Sequence, residues 1–199
     1  MSYPDEIPGL NLDIKRRILG ILVPAINLPL FLWNLIRLVQ YLSAGSSTSS
    51  FEFLNLIIMT LLPFGLGALL PMKLPVLRSR YWWTEEGIKL QRSLRGNRII
   101  PYREINRTEV YIRKEDVISE DAEEYAKEEA EKLRKAGFEF KDYTNSEEII
   151  AMLFSGKKIY MISPQRPIRI IKKLKKRSHQ LSAKIVELRR RGKYVRDLR

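Results

Sequence analysis

One histidine, no cysteine and 23 carboxylates in 199 residues give catalysis little to work with. Without cysteine there is no thiol nucleophile, no thiolate metal ligand and no disulfide. A lone His179 excludes a multi-histidine zinc or iron centre. It stands in the run KKLKKRSHQ, where it reads as a solvated surface residue rather than a general base. No phosphate-binding Walker loop, G-x-S-x-G elbow or dinucleotide fingerprint occurs. Glu115, Asp116, Glu120 and Asp121 could offer oxygens to a divalent cation, but their spacing is not that of a calcium loop. The residues therefore nominate no catalytic group, no cofactor-binding group and no metal ligand, and the expectation is a protein that is not an enzyme and carries no cofactor.

The chemistry that residue type and spacing do support is anion binding. Fourteen Lys and Arg lie between residues 163 and 199, opposed only by Glu187 and Asp197, so this stretch carries +12 of the formal +13. A charge this localised addresses an anionic lipid surface or nucleic acid. The candidate contacts are Lys172, Lys173, Lys175, Lys176, Arg177, Lys184, Arg189, Arg190 and Arg191. Between Glu115 and Glu131 the sign reverses, with nine acids against Lys127 alone. That acidic stretch is a candidate partner for the basic one of a second copy, which makes a salt-sensitive homo-oligomer an expectation.

Two apolar runs must position this chemistry. Ile18–Ile36 is uncharged for nineteen residues and Phe53–Met72 for twenty. A bilayer core needs about 20 helical residues, so each is long enough to span. Neither run shows the polar face of a soluble amphipathic helix. Arg16 and Arg17 before the first run, and Lys73 and Arg78 after the second, place both termini in the cytoplasm by the positive-inside rule. The Ser-rich loop 43–50 then lies outside. Trp33, Arg37 and Tyr41 read as anchors at the outer interface, Arg37 by snorkelling. A cleaved signal peptide competes for the first run, but that run exceeds the usual apolar length of about 7–15 residues. The expected location is the cell membrane, as a multi-pass protein.

Beyond Arg80 the pattern shortens and alternates. Ile88–Arg92, Arg98–Ile100, Glu109–Arg113, Ile149–Phe154 and Lys158–Ile162 read as strands, with turns at Leu94–Asn97 and at Ser155-Gly156. Ser119 starts an acidic helix that Lys132, Arg134 and Lys135 finish and Gly137 stops, which satisfies both helix ends and the dipole. Pro164 and Pro167 open a last helix. Its stripe Ile171, Leu174, Ser178, Leu181, Ile185 and Leu188, spaced by three and four, predicts one long basic helix to the end of the chain.

Tyr81-Trp82-Trp83-Thr84, Gly87-Ile88 and Ile100-Pro101-Tyr102 with Ile105 resemble the opening of the bacterial and archaeal pleckstrin-homology-like domains, which commonly follow a pair of membrane helices. Lys158–Pro164 leading into Ile168–Leu174 resembles their last strand, Ser-Pro turn and capping helix. The resemblance covers about residues 78–176 and implies a bent seven-stranded barrel with no catalytic residues. The fold expectation is an α+β membrane protein. Residues 1–80 would form the cytoplasmic lead and transmembrane hairpin, and 81–199 a small antiparallel PH-like β-barrel with an acidic helical insertion and a long basic C-terminal helix. The expected role is a non-catalytic, membrane-anchored interaction or scaffold module facing anionic headgroups of the inner leaflet and a protein partner. The alternative is a membrane-tethered protein binding RNA or the ribosome, although only Tyr194 in the tail could stack on a base.

Overall fold

The computed structural model describes residues 5–45, 47–69, 77–92, 96–178 and 181–198. Two compact units emerge: Ile14–Leu77, and a second made of Met1–Asp13 together with Arg78–Arg199. The division expected at residue 80 is thus corrected, because the first thirteen residues belong with the β-domain rather than with the helices.

In the helical unit, α1 runs from Ile14 to Ser43 and α2 from Phe51 to Phe64, continuing as a π-helical turn over Gly65–Leu69. Ser50 caps α2, its Oγ accepting from the Phe53 amide at 3.1 Å. Pro63 removes one donor from the ladder, and the wider turn follows it directly. The two helices pack through Phe31 and Phe64, ring centres 5.2 Å apart, and through Gly67. A Cβ on Gly67 would sit 3.0 Å from the Cβ of Asn27, tighter than an ordinary contact, so any side chain there would push the neighbour back by a few tenths of an ångström. Both helices are long and apolar enough to cross a membrane, and no residue of α1 is buried. Pro71, Met72 and Lys73 lie outside the described residues.

The β-domain has two sheets. Strands β1 (Asp5–Ile7), β2 (Ser79–Trp83), β3 (Gly87–Arg92) and β4 (Gly96–Pro101) form an antiparallel sheet in that order. Strands β5 (Ile105–Arg113), β6 (Glu139–Asp142), β7 (Ile149–Ser155), β8 (Lys158–Ile162), β9 (Ser182–Arg189) and β10 (Gly192–Leu198) form the second, in the order β10-β9-β5-β7-β8-β6. It is mixed, because β5–β9 and β6–β8 run parallel. The two sheets remain separate, so the expected barrel is not closed and not purely antiparallel. One core joins them: Tyr81, Ile88 and Leu90 from the first, Val110, Leu153 and Ile162 from the second. Tyr81 and Trp83 are buried, while Trp82 is half-buried with Lys89 over its ring. The turn residues Leu94 and Arg95 lie outside the described residues.

Helix α3 (Glu120–Lys135) forms as its ends predict, with Ser119 Oγ accepting from the Ala122 amide at 3.2 Å. It covers the opposite face of the second sheet, where Tyr111, Met152, Phe154 and Val186 make a second apolar cluster with Ala122. Helix α4 (Pro167–Arg177) turns Pro167, Ile170, Ile171 and Leu174 into the main core.

The long basic C-terminal helix is not there. Helix α4 ends at Arg177, and residues 182–198 are the β9–β10 hairpin, turning through Arg190, Arg191 and Gly192. Strand β9 is buried on both faces. Ala183 and Ile185 enter the main core, and Val186 and Leu188 the cluster under α3. An inner strand of that kind is apolar at 181, 185 and 188 as well as between them, so it imitates a helical stripe. Gly192, at φ +122°, supplies a backbone conformation a helix would not need.

A buried polar centre holds the ends of the domain. Asn145 is fully buried. Its Nδ2 donates to the Leu10 carbonyl at 3.0 Å and to the Ser79 carbonyl at 2.9 Å, and its Oδ1 accepts from the Ser79 amide at 2.7 Å. Its own carbonyl accepts from the Asp13 amide at 3.0 Å. Leu10 and Asp13 precede the helical unit and Ser79 follows it. One residue therefore ties the point where the chain leaves the β-domain to the point where it returns.

Candidate functional site

Helix α4 is strongly basic, although Asp5 and Glu6 of β1 line a hollow with Arg166 and Arg169 at its start. Its sequence PIRIIKKLKKR contains no acid. Because the core takes 167, 170, 171 and 174, the outward residues Arg169, Lys172 and Lys176 align at helical spacing, with Arg166 continuing the row at the N-cap. All four are exposed, and Ile168 beside them is 48% exposed. Four cations along one ridge, with no carboxylate in the same helix, make a surface suited to several phosphates at once.

The other cations of this run are committed within the domain. Lys173 donates to Asp5 at 2.8 Å and lies 4.6 Å from the centre of the Trp83 ring. It holds the Asp5 carboxyl below the usual carboxylate range. Lys175 donates to the Leu198 carbonyl at 2.7 Å. Arg177 donates to the Tyr102 hydroxyl at 2.6 Å and to the Thr84 carbonyl at 2.9 Å. These three therefore staple α4 to β1, β10 and the β2–β3 turn, Lys173 alone of them paired with a carboxylate.

Lys184, Arg189, Arg190 and Arg191 sit elsewhere, on the β9–β10 hairpin. Lys184 faces α3, donating to the Tyr125 hydroxyl at 2.8 Å with Glu129 at 3.8 Å. Burial opposes its charge, but Tyr125, Glu109 and Glu129 together hold the ammonium above its ordinary pKa. Lys193 lies 3.9 Å from the centre of the same tyrosine ring. Arg189 pairs with Glu187 and covers the Tyr194 ring at 4.6 Å. Arg190 and Arg191 are exposed in the turn, and the Arg190 amide donates to the Glu115 carboxylate at 3.0 Å. The acidic stretch and the basic hairpin thus meet within one chain, at Glu129 with Lys184 and at Glu115 with the Arg190 amide. Among the described residues, no three of His, Asp and Glu converge as metal ligands, and Glu115 serves the turn instead.

Beneath α3 lies a cluster with no sequence signal. Glu109 is buried at 1% exposure on the central strand β5, accepting from Arg107 Nε at 2.9 Å and from the Tyr111 hydroxyl at 3.1 Å. Burial first, and Glu109 second, push the Tyr111 phenol well above its ordinary range. These partners all lie on β5, and the Tyr111 ring joins the apolar cluster under α3.

The expected membrane anchors fall as follows. Arg16 is half-buried and Arg17 exposed near the start of α1, while Trp33 is 64% exposed and Arg37 exposed further along it. Tyr41 is half-buried, its hydroxyl bonded to the Ser47 carbonyl and to Ser50 Oγ. Arg78 is exposed just ahead of β2. Lys73 and His179 lie outside the described residues. Arg166 and Arg169 were missed as site residues. Their spacing to Lys172 and Lys176 was the available signal, hidden by the assumption that the helix continued past Arg177. No protein-family model, curated protein or solved structure matches this chain.

Proposed function

We propose that the chain is a non-catalytic, membrane-anchored interaction module. Its helical hairpin spans the bilayer, and its β-domain, of the pleckstrin-homology-like type, docks the basic ridge of α4 on anionic headgroups at the inner leaflet and there meets a protein partner. The single observation that carries the reading is the row Arg166, Arg169, Lys172 and Lys176, exposed along one helix that contains no acid. Each Lys or Arg near an anionic leaflet contributes about 1 kcal/mol within a Debye length. Four such residues on a tethered domain set its orientation strongly. The hairpin supports the anchoring: large apolar side chains cover α1, and none is buried, unlike those of a core helix in a soluble protein. Basic residues at Lys15–Arg17 and at Arg78 and Arg80, against none in the 44–50 loop, support cytoplasmic termini. The meander β2–β3–β4 and the antiparallel run β5–β7–β8, with α3 and β6 inserted after β5 and α4 following β8, support the pleckstrin-homology-like relation.

The chain has no cysteine, so a single Lys172→Cys variant of the full protein takes one fluorophore. In nanodiscs, quenching by headgroup-borne quencher should be strong with anionic lipid, weak with neutral lipid, and lost at high salt or on reversing Arg169 and Lys176 to Glu. Equal quenching in neutral and anionic discs refutes the docking. Displacement of the label by single-stranded RNA at a concentration that saturates binding would favour nucleic acid over lipid as the anion.

A further inference from the structure

The hairpin carries polar groups that spanning a bilayer does not require. Asn34 and Arg37 on α1 and Glu52 and Asn55 on α2 line a cleft of about 310 Å³, together with the ring of Tyr41. It lies toward the connecting loop, since Tyr41 bonds to Ser47 and Ser50. Arg37 stands six residues before the end of α1, roughly 9 Å along the axis. Snorkelling alone would account for one arginine at that depth. It does not account for a carboxylate and two carboxamides around the same hollow. Arg37 and Glu52 share the cleft, yet form no ion pair among the described residues. Asn34 gives an amide hydrogen to the Leu30 carbonyl at 2.9 Å, which leaves its oxygen as an acceptor. Leu56 and Met59 complete the lining with apolar surface.

We propose that this cleft binds the headgroup of an amine-bearing zwitterionic phospholipid. The Arg37 guanidinium takes the phosphate, and Glu52, with the side-chain oxygens of Asn34 and Asn55, takes the ammonium. Leu56 and Met59 receive the start of the acyl region. Two features select this occupant. The cleft holds one cation and one anion, which matches a zwitterion, whereas a purely anionic headgroup would leave Glu52 facing a phosphate. The cleft is also concave, and two hollows cannot fill each other, so a second copy of the same hairpin fits less well. Ionisable groups within a span commonly mark such sites. The inference rests on the membrane reading above, but selects a lipid opposite in kind to the one the α4 ridge would attract.

The test uses the full chain, inserted in vesicles of equal phosphatidylethanolamine and phosphatidylglycerol, extracted in mild detergent and examined by native mass spectrometry for retained lipid. Alkali-resistant sedimentation with the vesicles is measured first for every variant. The wild type should retain phosphatidylethanolamine preferentially. Arg37→Gln should lower that retention about tenfold, as loss of one charge-assisted contact does. Glu52→Gln should reverse the preference toward phosphatidylglycerol. Wild-type protein that leaves the vesicles in alkali overturns the membrane reading and this inference together. Protein that stays inserted but retains both lipids equally, or ignores both substitutions, overturns the cleft alone. So does a result in which Arg37→Glu and Glu52→Arg each abolish dimers and the double variant restores them, because a second hairpin would then be the occupant.

Discussion

At Asn145 one carboxamide serves both ends of the break in the β-domain's chain. Its contacts to Leu10 and Ser79 are buried, so Asn145→Ala leaves the Leu10 and Ser79 carbonyls and the Ser79 amide without their protein partner. We expect a loss of about 2–4 kcal/mol, read as the denaturation midpoint of the domain's buried tryptophan, with hydrogen exchange rising first in β1. A loss below about 0.5 kcal/mol would remove Asn145 from its role as a tie. Burial also raises the phenols of Tyr81 and Tyr111. In the unfolded chain both ionise near the usual value of about 10, while the folded chain keeps its protons. The unfolded state therefore binds fewer protons above that pH, so stability is full below about pH 10 and falls as pH rises past it. Melting temperatures of the wild type across that range should show the fall, and Tyr111→Phe should show a shallower one. Individual residues were legible only through their place in a pattern, as with Trp83, one inward tryptophan of the expected first strand. Asn145 was not, because nothing local separates a buried tie from any loop asparagine.

The elements divide by how local their signals are. Helix α3 was readable from its own caps and charges, and the two apolar helices from length and composition. The C-terminal hairpin was misread because β9 is covered on both faces, a condition created by α3 and the main core rather than by its own sequence. A single substitution separates the two pictures. Gly192→Ala would stabilise a helix by about 1 kcal/mol through propensity. In the hairpin, where φ is +122°, the same change should cost a similar or larger amount. Thermal melting gives the sign. In the helical unit, Gly67→Val should force α1 and α2 apart, since even a Cβ would meet Asn27 at 3.0 Å. Cysteine crosslinking between positions 31 and 64 should then fall severalfold, and unchanged crosslinking would contradict the packing described.

On the scale of the whole molecule, the helical unit is an insertion between β1 and β2 rather than a leader ahead of a separate domain. Replacing residues 14–77 with a short Gly/Ser linker should leave a water-soluble β-domain with native hydrogen-exchange protection in β1 and β2, because both chain ends are already held by one side chain. A fragment beginning at residue 80 loses β1, the Leu10–Ser163 backbone bond and the Asp5–Lys173 pair. It should melt well below the linked form, and equal melting would show that β1 is dispensable. The sequence revealed both halves but not their interleaving, because a three-residue strand is too short to leave a periodic signal and its partner lies some seventy residues away.

That interleaving sets a timetable. Leu10 emerges from the ribosome 135 residues ahead of Asn145, the side chain it needs. At about 5–20 residues per second, Leu10 waits roughly 7 to 27 seconds for that side chain, and while the two apolar helices are made the first strand waits about 4 to 15 seconds for β2. Its brevity and its two carboxylates, Asp5 and Glu6, keep it from pairing with anything else meanwhile. The domain cannot be completed before the helical unit has been made, so synthesis itself enforces the order: apolar helices first, β-domain afterwards.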